Sequence, residues 1–189
     1  NTPRYKQYSQ ITLVDYSSTQ LQQARQRLGE SGHYRFVAAD IYHLPFVQGV
    51  FDGATMIRTL HHMAEPLMAL QQVRRALQPG AVFILEYANK RNVKSMLRYL
   101  LHRQTWSPYA PEQVEFAALN FDFHPKTVDS LLSESGFRSE RTLTVSHFRI
   151  GALKKLIPLK ALVWLDSLLQ PTGSWIRVTP SVFTRTAAI

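Results

Sequence analysis

The stretch ITLVDYSSTQLQQARQRL, Ile11 to Leu28, decides the fold class. Its first four residues are apolar or β-branched (Ile11, Thr12, Val14) and read as a buried strand. Asp15 ends the strand, and Ser17 or Ser18 stands where a helix wants an N-cap. Leu21, Ala24 and Leu28 then recur every three to four residues, which builds one apolar helix face, and Gly29 or Gly32 stops it. A strand feeding a helix through so short a turn is the repeating unit of α/β sheets, whose ligands sit at the carboxyl ends of the strands.

Working outward, the pattern repeats. Arg35 to Ala38 reads as the next strand, with Asp40 at its end. LPFVQGVFDGATMI leads through a loop into a strand around Asp52 to Ile57. Pro66 to Leu77 reads as a helix with Pro at or near its first position and Leu67, Leu70, Val73 and Leu77 on one face. QPG breaks it, and Ala81 to Tyr87 is a strongly apolar strand. The order β-α-β-β-α-β, with strands that read as continuously buried, predicts an α/β Rossmann-like, doubly wound, mostly parallel sheet with helices on both faces.

Further on, Asn92 to Leu101 reads as a helix, and residues 102–124, aromatic and proline-bearing, as a lid or linker. Pro125 to Ser135 reads as a helix closed by Gly136, and Ser139 to Phe148 alternates as a strand should. Ile150 to Gln170 is apolar, with a break at Pro158. Lys154, Lys155, Lys160 and Asp166 interrupt it, so it is not a membrane span. Residues 150–178 are expected to form a helical insertion or cap before a last strand in PSVFTRTAA, all within a single domain over residues 1–189.

Composition bounds the chemistry. With 189 residues and 45% apolar content, the chain can bury one sizeable core. Cysteine is absent, which excludes disulfides, thiolate catalysis and Cys-zinc sites. There are 22 Lys+Arg against 13 Asp+Glu, a formal charge of +9. Such a balance favours polyanions, RNA or anionic lipid surfaces. The charges are scattered, however, the densest group being Lys90, Arg91, Lys94 and Arg98, so a generally basic surface is favoured over a nucleic-acid footprint. NTPRYKQYSQ has no apolar leader, so the expected location is cytoplasmic. The seven histidines show no spaced ligand set, and no metal is expected.

Two acids, Asp15 and Asp40, stand 25 residues apart at successive strand ends. A carboxylate there offers two acceptor oxygens to the vicinal diol of a ribose. The second could accept from an adenine amino group while the Ile41 amide donates to a ring nitrogen. The alternatives are a helix cap for Asp15 and a turn for Asp40.

The motifs LVDYS, DIYHLPF, FD…LHH (Phe51, Asp52, Leu60, His61, His62) and LQPG (Leu77 to Gly80), in this order, resemble a class I S-adenosylmethionine-dependent methyltransferase of the type 11 kind. The resemblance is strong from Ile11 to Tyr87. It implies S-adenosyl-L-methionine as cofactor, with Asp15, Tyr16, Asp40, Ile41 and Arg58 toward it. It puts His61 and His62 near the transferred methyl as candidate catalytic residues, and Glu86 and Tyr87 in the acceptor pocket. In that fold a seventh strand is inserted antiparallel, a place open to Pro180–Thr186. NFDFHP and TPSVF resemble a bacterial subgroup. The family's G-x-G turn occurs nowhere in the chain. The first strand and its glycine turn are therefore expected upstream in a longer parent chain, and this chain is expected to bind cofactor weakly or not at all.

The implied function is methyl transfer to a small-molecule or lipid-like acceptor, with membrane-surface contact possible and the oligomeric state open. Two alternatives are an RNA methyltransferase, though MIRTLHHM stands where an N/D-P-P-Y/F motif would, and a non-catalytic Rossmann-like binding module. A third, a nicotinamide-dependent Rossmann domain, would also end its second strand in an acid.

Overall fold

In the computed structural model, β1 (Ile11–Asp15) and β2 (Tyr34–Ala38) pair in parallel, from Ile11 against Tyr34 to Asp15 against Ala38. Between them runs α1 (Ser18–Leu28). The Ser17 hydroxyl caps it by accepting from the Gln20 amide at 3.3 Å, and Gly29 ends it at φ 81°. That φ lies in the left-handed region, where a residue without Cβ is at ease. The structure describes residues 5, 7–145, 157–171 and 176–189.

The elements above lie in the first of two compact units, Asn1–Val47; the second is Gln48–Ile189. In the first unit the burial differs from the sequence reading. Both strands are half-buried to exposed, and Leu21 of α1 is buried. β1 and β2 form a two-stranded sheet, and each is therefore an edge strand.

The second unit holds a four-stranded sheet. β3 (Phe51–Met56) runs parallel to β4 (Leu77–Ala88), with α2 (Pro66–Ala76) between them in sequence. β4 begins four residues before the Ala81 that QPG suggests, because Leu77 already pairs with Phe51. The register is irregular there, and Gly80, at φ 78°, carries the bend. After β4 come α3 (Val93–Leu100), the short antiparallel hairpin of β5 (Val114–Ala117) and β6 (Asn120–Asp122), and α4 (Pro125–Glu134). Then follow β7 (Phe137–Val145), α5 (Leu159–Leu169) and β8 (Ser181–Ala188).

The sheet order is β3-β4-β8-β7, with β8 inserted antiparallel between β4 and β7. This is the place the resemblance opened for a last strand. The hairpin lies inside the stretch read as a lid or linker. The part of the apolar segment at 150–156 and the strand residues 146–148 lie outside the described residues.

The core follows from the alternation in β4. Ala81, Phe83 and Leu85 share one face of β4 and are buried, as are Leu60, Leu70, Leu132 and Phe137. Phe83 and Phe137 stack with ring centroids 4.9 Å apart. β4 and β8 are buried over most of their length, as central strands are, and the Thr186 hydroxyl donates to the Phe83 carbonyl at 3.2 Å.

Candidate functional site

In the first unit, Asp15 and Asp40 lie at the same carboxyl edge. Asp15 is the last residue of β1, opposite Ala38, and its carbonyl accepts from the Ala39 amide at 3.1 Å. Asp15 Oδ1 accepts from the Ser17 amide at 2.8 Å, so the acid shapes the turn while Ser17 caps the helix. Asp40 caps a single 3₁₀ turn, Ile41–His43. Its Oδ1 accepts from the Tyr42 amide at 3.0 Å, and Oδ2 lies 3.5 Å from His43 Nδ1. Ile41 is the first residue of that turn, and its amide has no partner within it. Tyr16 is 83% exposed. Each acid thus has a turn role, and each ionised carboxylate has room for further donors, about four lone-pair sites apiece.

In the second unit, a cleft of about 380 Å³ opens at the carboxyl ends of β3 and β4. Arg58 and His61 line it from the segment after β3, and Glu86, Tyr87 and Asn89 from the end of β4. Asn120 and Asp122 come from the hairpin and Ser181 from the start of β8. Arg58 has φ 56°, uncommon for a residue with a side chain; such backbone often accompanies a functional site. His61 and His62 share a 3₁₀ turn, Leu60–His62.

Adjacent residues on a regular helix point in different directions. Instead the rings lie 3.9 Å apart, because the pair sits in one isolated turn and the His62 ring is tethered. His62 Nδ1 donates to the Leu119 carbonyl at 3.1 Å, at the hairpin tip where Leu119 has φ 52°. His62 is thereby a clasp for the hairpin, helped by Gln113, whose Nε2 donates to the Ala64 carbonyl at 3.0 Å. His61 is left facing the cleft. Partial burial lowers its pKa below the ordinary imidazole value, and the nearby His62 and Arg58 lower it further.

The floor of the cleft is an asparagine network. The Asn89 side chain, 1% exposed with its residue, donates to the carbonyls of Arg177 at 3.0 Å and Thr179 at 2.9 Å, and accepts from the Arg91 amide at 2.8 Å. Asn92 donates to the Asn89 carbonyl at 2.8 Å and caps α3 by accepting from the Ser95 amide at 3.0 Å. This holds the strand leading into β8 against the end of β4. Asp122 is held above the usual carboxylate range by burial, against the pull of Arg98 and Lys90. Burial also lowers the pKa of Lys90, whose Nζ donates to the Glu112 carbonyl at 2.6 Å. Phe121 and Phe123 are core residues, and His124 caps α4.

Residues 2–85 match the family described as a methyltransferase domain. The chain is 28% identical over 169 residues to demethylmenaquinone methyltransferase of Chlamydia trachomatis, covering 87% of this chain and 70% of that one. These matches support a class I S-adenosylmethionine-dependent methyltransferase. Ubiquinone/menaquinone biosynthesis C-methyltransferase UbiE of Pseudomonas putida is 29% identical over 141 residues, 68% of this chain and 55% of its own length. An S-adenosylmethionine-dependent methyltransferase from Mesorhizobium loti shares the fold, with a TM-score of 0.62 at 17% identity over 97% of this chain and 82% of that one.

In this methyltransferase the cofactor supplies an electrophilic methyl group. The acids at the β1–β2 edge fit its nucleoside chemically, since both have acceptor capacity beyond their turns. The Asn89–Asn92 network and Asp122 were not singled out from the sequence. The one legible sign was Asn92 immediately before a helical run, an N-cap signature.

Proposed function

We propose that this methyltransferase transfers a methyl group to a ring carbon of a lipid-like quinone-class acceptor in its reduced, dihydroxy form. The observation that carries the reading is the second unit's cleft, where His61 sits unclasped beside Arg58 with its pKa lowered. Relatives named for demethylmenaquinone and for ubiquinone/menaquinone biosynthesis support the acceptor class.

A quinone ring is electron-poor, whereas its hydroquinone is a carbon nucleophile once a hydroxyl loses its proton. Neutral His61 accepts that proton; the O–H electron pair flows into the ring and makes the adjacent carbon nucleophilic. Arg58 stabilises the phenolate that forms. Asn120, Glu86 and Asp122 orient the ring hydroxyls, Asp122 with its pKa raised by burial. Asp15, Tyr16, Asp40 and Ile41 bind the nucleoside of the cofactor. The ring carbon would take the methyl as the S–CH3 bond breaks and the sulfur leaves as a neutral thioether, and loss of that carbon's own proton to solvent would restore the aromatic diol; the transfer is mainly a matter of proximity and orientation.

The test is transfer of labelled methyl to a short-chain naphthohydroquinone, compared with the oxidised quinone and with RNA. Transfer to the reduced ring only, lost with His61→Ala, supports the reading. Methylation of RNA, or equal transfer with the His61 variant, refutes it. Calorimetric titration of S-adenosylhomocysteine into the chain and its Asp15→Ala variant tests the cofactor half separately: weak as binding without the glycine turn is expected to be, the substitution should reduce it by about tenfold or more, as for loss of a charged hydrogen bond.

A further inference from the structure

We infer that α3 and the segment after it form a docking face for an anionic lipid bilayer. Val93, Leu97, Leu100 and Leu101 fall at helical spacing on one side of the helix end and are all more than half exposed. A soluble-core helix would turn such a stripe inward. Tyr99 and Tyr109 stand beside it, rings 6.3 Å apart and exposed, and with Met96 and Leu97 they wall an apolar groove of about 600 Å³.

Within this segment the charge has one sign, Asp122 of the hairpin being the acid that Arg98 and Lys90 feel. From Tyr87 to Pro111 there is no Asp or Glu, while Lys90, Arg91, Lys94, Arg98 and Arg103 are all cationic. Lys90 is buried; Lys94, Arg98 and Arg103 are exposed next to the apolar stripe. Apolar residues flanked by Lys/Arg and edged by aromatic rings match the water–lipid boundary layer by layer: side chains for the acyl region, tyrosines for the interface, cations for anionic headgroups. A second copy of this chain would bring the same cations face to face, and RNA would leave the leucines without a partner. No helix among the described residues is long and apolar enough to cross a membrane, so contact at this face is interfacial.

The inference deepens the proposed acceptor and rests on it for its purpose. Asn92 both caps α3 and lines the cleft, so the docking helix begins at the cleft's rim. A lipid-like acceptor would then be taken from the bilayer at that rim.

Co-sedimentation with vesicles tests this without reading methyl transfer. The probes are vesicles of phosphatidylcholine alone and of phosphatidylcholine mixed with phosphatidylglycerol. The chain should bind the anionic vesicles more tightly, and salt should weaken binding. Lys94→Gln with Arg98→Gln should cost about fivefold per charge. Leu97→Gln with Leu100→Gln, on exposed side chains that the core does not need, should weaken binding to both vesicle types. Equal binding by the variants, no sedimentation, or a concentration-dependent dimer abolished by the leucine substitutions would overturn the inference. If vesicles bind while no quinol is methylated, the acceptor assignment fails and the docking face stands.

Discussion

Asn89→Ala is expected to destabilise this protein strongly although it removes no apolar side chain. The side chain makes three hydrogen bonds, all to backbone groups, from a position that is 1% exposed. Each is worth about 1 kcal/mol net, and a buried group left unsatisfied costs about 1–3 kcal/mol. Two stranded carbonyls and one stranded amide therefore put the loss at about 3–5 kcal/mol. For a chain of this length that is a drop in Tm of roughly 6–15 °C. Asn120→Ala is the control: it lines the same cleft, but its only described bond is a local one to the Ala118 carbonyl at 2.8 Å, so it should stay within about 0.5 kcal/mol of the parent.

Asn89→Asp adds a sign test. The two carbonyls that face the amide would repel a carboxylate and favour a protonated, donating acid, raising the folded-state pKa. The variant's stability should be greatest below the ordinary carboxylate range and fall as pH rises through the raised value. Urea or thermal unfolding across pH reads both effects. An Asn89→Ala loss under about 1 kcal/mol, or a pH-independent carboxylate variant, would refute the idea that this network holds β8 to β4.

Three further outcomes follow from the same geometry. The pH profile of kcat/KM should rise through a pKa below the ordinary imidazole value and stay flat above it, and His61→Ala should lose that limb along with about 100-fold in rate. Asp122→Asn should raise Tm near neutral pH and change it little in acid; the folded-state pKa of Asp122 is raised, so its ionisation opposes folding only as pH climbs through that value. Ser17→Ala, which removes the α1 cap, should cost about 1 kcal/mol, read as a shift in the unfolding midpoint.

Most element positions were legible because single residues announce them. Ser17, Pro66, Asn92 and Pro125 start helices, and Gly29 and Gly136 stand at the ends of α1 and α4. The β5–β6 hairpin was not legible: it turns at Leu119 with a left-handed φ and no Asn-Gly or Asp-Gly pair to signal it. β4 was read too short because the Pro79–Gly80 pair normally ends an element, and only the cross-strand pairing of Leu77 with Phe51 shows that it does not.

At the site, the acids were visible as strand-end carboxylates. That they also shape their own turns needed coordinates, because a side chain bonding two residues onward looks the same in sequence as one waiting for a ligand. The opposite roles of His61 and His62 were beyond sequence altogether. They depend on a carbonyl 57 residues away.

The central place of β8 has a consequence for how the chain comes off the ribosome. β4 and β7 share no direct pairing; each is zipped to β8, and the hydroxyl of Thr186 meets a carbonyl 103 residues earlier. During synthesis, one long apolar edge of β4 must wait through every residue of α3, the hairpin, α4, β7 and α5 before its partner exists. Such long-range closure is slow, and an open apolar strand edge is what chaperones recognise and neighbouring nascent chains invade. Until that last strand is made, the β4 edge is therefore where the growing chain is most open to mispairing.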